Sequence, residues 1–505
     1  MSIFSKLYHI RYMVVASLLL PLAYACSSDD QAGDDMAKSQ LPTSNQYINL
    51  NIVVSSGSEG TMRGPAGGEE GDGREAGSER ENLVTGVTIM LYEDGAGINT
   101  AAETKLAFCK YYPVSLVSRE TAGTPYATKE DEAVYTTGDQ PLVGSGLDMS
   151  KEYHAIVVAN QNMASTFTTA SKVKDVRDYV TTHVYSGSGL GADASHFVMS
   201  LETDYIVNFA SPSSKTTVGN KTTYHFDNIR IERLAARVDF WTKTATYGEK
   251  DALSNNYRAP GYVYPVWKTS DTTTPTSTDK FVLTAVTPFN LYNSNEYLFK
   301  RTDDAAPYLA VETTDNYVID PNTATKTAAS PTYYNNMLSY LVGIDETYLT
   351  LSAATDYFQA TSDLYVSTTQ KAGFTGDDSK DNFILCYPRE NTLSTSSPLY
   401  YYATGVAIEG DYYPAGSAAD LTKAKHFIYY GYLRHQGEGT GPYTIKMRTD
   451  LSTTETYPTT TPMNFGVVRN NIYRLSIDKI TEKGELELKI MVKKWDTFTH
   501  SWIYM

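Results

Sequence analysis

The chain has 505 residues, 41% hydrophobic and 12% aromatic, and carries a formal net charge of −16. That length predicts two or three domains with real cores, and the acidic balance argues against nucleic acid or an anionic membrane surface as a partner. Its 41 tyrosines, with threonine, valine and isoleucine in short runs, lean the composition to β-structure.

Lys6 and Arg11 precede an apolar segment, YMVVASLLLPLAYA, interrupted by Pro21 and too short to span a bilayer comfortably. Residues 1–25 therefore read as an export signal. LAYAC, ending at Cys26, resembles a bacterial lipobox, although Ala23 stands where a larger aliphatic residue is usual. CSSDD resembles the Ser/acidic signal of Bacteroidetes surface lipoproteins. The resemblance makes Cys26 the lipidated residue; plain cleavage after Ala25 is the alternative. Only Cys109 and Cys386 remain, and cysteines so far apart in sequence are more often small buried hydrophobes than a bridge.

Residues 26–46 are polar and aperiodic, a tether. In 47–54, Ile48, Leu50, Ile52 and Val54 alternate with polar residues, as a half-buried strand requires. A leash rich in glycine and charge follows over 55–80, holding Arg63, Arg74 and Arg80. Residues 83–92 predict a strand with Leu83, Val87, Ile89 and Leu91 on one face, and YHAIVVAN (153–160) a strand buried on both faces. SKVKDVRDYV predicts a short helix, and SHFVMS and DYIVNF further strands. YHFDNIRIERLAARVDFW reads as one long strand with a bulge near Leu234. Loops rich in Thr, Asp, Pro and Asn then separate short strands at DNFILCYPREN, HFIYYGYLRH and GPYTIKMRTD. NNIYRLSIDKI and GELELKIMVKKW close the chain as a hairpin, with Gly484 near the turn. Such a pattern predicts an all-β protein with minor α content and two sandwich-type domains in tandem, 81–226 and 227–496.

Chemistry is sparse. The eight histidines show no ligand spacing, so no metal is expected. DDSKDN begins like a calcium loop but lacks its glycine and closing acid, Pro388 standing in the acid's place. No phosphate loop or nucleophile elbow is present, so neither a cofactor nor enzymatic activity is expected. PLYYYATG, FIYYGY and KYYPV suit sheet faces better than sugar stacking.

The ends of the chain and its middle carry a family resemblance. NIRIERLAARVDFW is similar to the Arg-x-x-Ala-Arg strand that opens the second domain of the Bacteroidales fimbrillins, the subunits of type V pili. ILCYPRENT resembles their Tyr-x-x-Glu-Asn segment, VVRNNIYRLSIDKI their Arg-Asn-x-x-Tyr strand, and LELKIMVKKWDTFTHSW their closing strand, tryptophan and short tail. Those motifs span nearly the whole chain, though about half of it between them carries none.

The resemblance implies transthyretin-like sandwich domains and a Mfa-like structural subunit of surface fimbriae at the cell outer membrane. Such a subunit would be anchored in outer-membrane lipid through Cys26 before processing. An arginine-specific protease would then cut the leash at Arg63, with Arg74 and Arg80 as alternatives, because Arg63 follows the first strand closely and precedes Gly64. The strand carrying Ile48, Leu50, Ile52 and Val54 would leave, and another subunit would donate its C-terminal strand. The donor candidates are Leu486, Leu488, Ile490 and Val492, Trp495, and the tail 497–505 with Phe498, Trp502 and Ile503. Leu486–Val492 either stays at home or swings out with the tail. Partners would be other copies and fimbrial subunits, with a host or bacterial surface ligand for adhesion and biofilm formation. A tip or accessory adhesin, or a surface glycan-binding lipoprotein, are the alternatives.

Overall fold

The computed structural model describes residues 41–54, 74–77, 79–93, 97–98, 101–117, 133–186, 194–242, 246–248, 261–289, 291, 295–302, 318–321, 382–392, 403–414, 424–435, 442–449 and 466–496. Contacts divide the chain into Met1–Ser39 and Gln40–Met505, and every described residue lies in the second unit. The unit is almost entirely β.

Its first half is one long, folded sheet. In order the strands are Leu106–Pro113, Gly86–Tyr92, Glu152–Ala159, Met199–Leu201, Lys221–Arg233, Gln46–Val54, Ala133–Thr136 and Ser115–Leu116. Lys221–Arg233 joins two layers: its beginning pairs with Gln46–Val54, and its end with Met199–Leu201. Within the pairing with Gln46–Val54 the register slips by one residue, from Leu50 opposite Phe226 to Ile52 opposite Ile229. Asn228 takes up the extra residue at φ 59°, left-handed backbone that asparagine tolerates. Ile48, Leu50, Ile52, Val157, Phe197 and Phe226 belong to the core between the layers. As expected, Glu152–Ala159 is buried on both faces past its first residue, and Val173–Arg177 is a helix. Gly86–Tyr92 is likewise buried on both faces, where a one-faced strand was expected.

The second half packs two sheets about a second core. One runs Asn382–Cys386, Arg237–Trp241, Asn471–Ile480, Leu486–Asp496 and Arg74–Ala76, with Tyr443–Lys446 also on Leu486–Asp496. The other is Thr246–Gly248, Gly261–Pro265, Lys280–Phe289, Gly405–Tyr413 and Lys425–Tyr432. Phe240, Phe281, Ile408, Tyr473 and Ile490 are among the residues that meet in the core. Asn471–Ile480 and Leu486–Asp496 form the expected hairpin, with Gly484 at φ 77°.

Further expectations change. The long strand 224–241 is two strands in different sheets, Lys221–Arg233 and Arg237–Trp241. The anticipated bulge at Leu234 is the crossing between cores: Leu234 and Ala235 pack in the first, Ala236 in the second. Small alanines let the backbone pass where two sheets close on each other. The expected division at 226/227 thus falls inside a strand, and the cores change hands at 235/236. Within the segment expected to be leash up to residue 80, Arg74–Ala76 is a strand, and Glu79–Asn82 is a helical turn. Cys109 and Cys386 are both free thiols. Among the described residues no acidic, histidine or cysteine cluster suits a metal, and no helix is long and apolar enough to cross a membrane. The DDSKDN loop lies outside the described residues, apart from Asn382.

Candidate strand-exchange site

Gln46–Val54 is an interior strand. It runs parallel to Lys221–Arg233 on one edge and antiparallel to Ala133–Thr136 and Gln140–Pro141 on the other. Leu50 shows how tightly the edges close: its N–H donates to Thr137 Oγ1 at 3.0 Å, and its carbonyl accepts from Thr137 N at 3.1 Å. Ile48, Leu50, Ile52 and Val54 are all 0% exposed. The inward face read from the alternation is therefore core. Returning these four side chains to water would cost about 6–12 kcal/mol in transfer alone, besides stripping three neighbouring strands of partners.

The other face is a polar row. Asn49 Nδ2 donates to Asp139 Oδ1 at 3.0 Å while its Oδ1 accepts from Thr136 Oγ1 at 2.8 Å. Asn51, itself 3% exposed, donates through Nδ2 to Asp227 Oδ1 at 2.7 Å. Lys221 pairs with Asp139 at 2.5 Å and lies 4.6 Å from the Tyr47 ring centre. Burial pushes the Asp227 carboxyl above the ordinary range, against the pull of the Asn51 amide. Burial also raises Asp139, but Lys221 and Asn49 together outweigh it and hold that carboxyl low.

At the junction of the two cores, the motifs scattered through the sequence converge. The Arg233 guanidinium lies 4.5 Å from the Trp495 ring centre, and its Nη1 donates to the Trp495 carbonyl at 3.1 Å. Tyr387 stacks on Trp495 at 5.6 Å and Phe197 meets it edge-on at 5.3 Å. Arg237 grips Asp239 through two 2.8 Å bonds and reaches Glu81 at 3.2 Å. Tyr387 Oη donates to Glu81 at 2.5 Å. Arg469 pairs with Glu390 at 2.7 Å and Glu296 at 2.9 Å, all three fully buried.

The end of the leash plugs into this junction. Arg74–Ala76 pairs in parallel with the last residues of the closing strand, Arg74 opposite Lys494 and Ala76 opposite Asp496. A Cβ on Gly77 would stand 2.8 Å from Trp495 Nε1 and 2.6 Å from Asn82 Oδ1, so only glycine fits without a shift. Arg233 Nε donates to the Glu81 carbonyl at 3.1 Å. Arg74 is thus part of a paired strand. Arg80 is exposed, but it precedes the fully buried Glu81 within a helical turn. A protease needs an exposed segment that can extend across its active site; Arg74 lies in a paired strand and Arg80 in a helical turn.

Leu486, Leu488 and Ile490 are 0% exposed and Val492 8%, in a strand paired on one edge with Asn471–Ile480 and on the other with Tyr443–Lys446. Trp495, named among the donor candidates, lies in the junction core at 1% exposure. Cys26, Arg63, Phe498, Trp502 and Ile503 lie outside the described residues. Sequence reasoning missed Glu81, Gly77, Asp139 and Asp227. The alternation marked Asn49 and Asn51 as outward, but their partners stand 90 and 176 residues away, beyond any local signal.

Neither a protein-family model nor a curated protein matches the chain. Among solved structures it is similar to the tip fimbrial protein Mfa3 from Porphyromonas gingivalis with C-terminal truncation, at 10% identity and TM-score 0.36, covering 89% of this chain and 100% of that one. A fimbrilin (fimA) from Porphyromonas gingivalis W83 matches at 12% identity and TM-score 0.35, over 90% of this chain and 99% of that one. A fimbrial assembly protein from Parabacteroides distasonis ATCC 8503 matches at 12% identity and TM-score 0.34, over 88% and 94%.

Proposed function

We propose that the chain is a non-enzymatic structural subunit of a surface fimbrium, joined to other subunits by exchange of its first strand. It is exported as a lipoprotein through Cys26, held at the outer membrane, and cut after Arg63 by an arginine-specific protease. Gln46–Val54 then leaves, a strand from another subunit takes its place, and the polymer serves adhesion. The observation that carries this reading is the state of Gln46–Val54: buried, paired along both edges, and followed in the sequence by Arg63. Loss of that strand opens an apolar groove between two unpartnered edges, which only another strand fills well.

The donor is the tail 497–505, with Phe498, Trp502 and Ile503 supplying apolar groups. Leu486–Val492 stays at home, because Trp495 locks its end in the junction core. Incubating the purified chain with a trypsin-like protease should give fibres by electron microscopy, and N-terminal sequencing of the fibres should start at Gly64. Fibres that retain Gln46–Val54 rule out exchange. Deleting 497–505 should leave a chain that is cut but does not polymerise, and Cys26→Ala should abolish fatty-acid labelling. Polymerisation by the truncated chain would place the donor elsewhere.

A further inference from the structure

We infer that the groove vacated by Gln46–Val54 selects its new occupant through Asp139 and Asp227, accepting side-chain hydrogen-bond donors at two alternate outward positions and rejecting a carboxylate there. The inference rests on the strand-exchange reading and adds what the incoming strand must carry.

The two carboxylates stand on different sides of the strand. Asp139 follows Ala133–Thr136 and meets Asn49; Asp227 lies within Lys221–Arg233 and meets Asn51. A carboxylate only accepts hydrogen bonds. Lys221 and Thr223 remain to Asp139 when the strand goes. Asp227, half-buried, loses the Asn51 amide, and a buried acceptor left without a donor is costly. Position 49 asks for more than a donor, since Thr136 Oγ1 also donates to it. Asparagine, serine or threonine satisfies both demands. Aspartate or glutamate at either position sets charge against like charge in a partly dry site.

Applied to this chain, the rule separates two segments. Suppose Leu486, Leu488, Ile490 and Val492 filled the four inward slots. In one direction Glu487 would face Asp139; in the other, Met491, which cannot donate. Within 497–505, seating Phe498 and Trp502 inward places His500 between them and brings Thr499 and Ser501 to the two outward positions. That holds for either direction, and both hydroxyls donate and accept. The occupant is therefore the 497–505 segment of a second copy, read through Thr499 and Ser501.

Two measurements test this. In the uncut chain, Asn51→Asp should lower Tm by several degrees, and adding Asp227→Asn should restore most of the loss; an unchanged Tm in the single variant overturns the inference. In the chain cut with a trypsin-like protease, fluorescent peptides of sequence QYINLNIVV are titrated. The native peptide and its Asn49→Thr/Asn51→Ser form should bind within about threefold of each other, and the Asn51→Asp form about 100-fold more weakly. Asp227→Asn in the protein should recover the acidic peptide. Equal binding of all three peptides overturns the selection and leaves exchange standing. If no peptide binds a cut chain whose uncut parent shows the Asn51 effect, exchange itself is overturned, and the selection with it.

Discussion

The first strand and the closing strand are matched in burial and opposed in anchoring. Each presents four alternating aliphatic residues to a core, Ile48 to Val54 in one and Leu486 to Val492 in the other, all but Val492 fully buried. Beyond that burial, Gln46–Val54 is held among the described residues by ladders, a row of amide–carboxylate bonds and contacts from Thr136, Thr137 and Lys221. Leu486–Asp496 adds Trp495, which touches Arg233, Tyr387 and Phe197, and parallel pairing of its last residues with Arg74–Ala76. Apolar burial alone thus does not say which strand is free to leave. The difference lies at the ends, where one strand finishes in a leash and the other in a buried indole.

Trp495→Ala should have the largest effect. Removing the ring empties the junction and should cost about 3–5 kcal/mol in urea unfolding, before and after cleavage alike. Leu50→Ala should cost about 2–5 kcal/mol in the uncut chain and nothing once Gln46–Val54 has gone. Equal loss in both states would mean that the strand never leaves. Gly77→Val should cost about 1–3 kcal/mol by overpacking, and hydrogen exchange should quicken at 494–496 with no change at 46–54. Faster exchange at both would show the two strands to be coupled.

The smallest expected effect lies away from both strands. His426 bridges Asp411 and Glu409 at 2.9 Å each, and these bonds raise its imidazole to about 9 from an ordinary 6.5. A raised folded-state value means the stabilisation is complete below about pH 6.5 and fades as pH climbs through about 9. Urea midpoints should fall slightly over that window, and His426→Gln should flatten the profile. Release of the first strand in the same window would contradict the separation of the two regions.

Much of the fold was legible locally. The alternation of Ile48, Leu50, Ile52 and Val54 fixed which face of the first strand is buried, and Gly484 marked the hairpin turn. The candidate site was half legible. Its inward slots showed in the pattern; its outward carboxylates did not, because Asp139 and Asp227 look like ordinary loop and strand acids until Asn49 and Asn51 are laid beside them. The leash also misled: glycine and charge continue to residue 80, yet Glu81 and Gly77 are gripped by Arg237, Arg233 and Trp495.

The sequence by itself determined the closing hairpin, the buried faces of the first and last strands and the order of the motifs, because side-chain alternation and turn preference act between residues a few positions apart. Tertiary structure decided which strands pair, where the chain passes between cores, and which arginines are withdrawn into paired structure. Arg233 and Trp495, for instance, meet across 262 residues. Such choices come from closing two cores at once, when every apolar face and buried charge must find its partner, and no short window of sequence contains that condition.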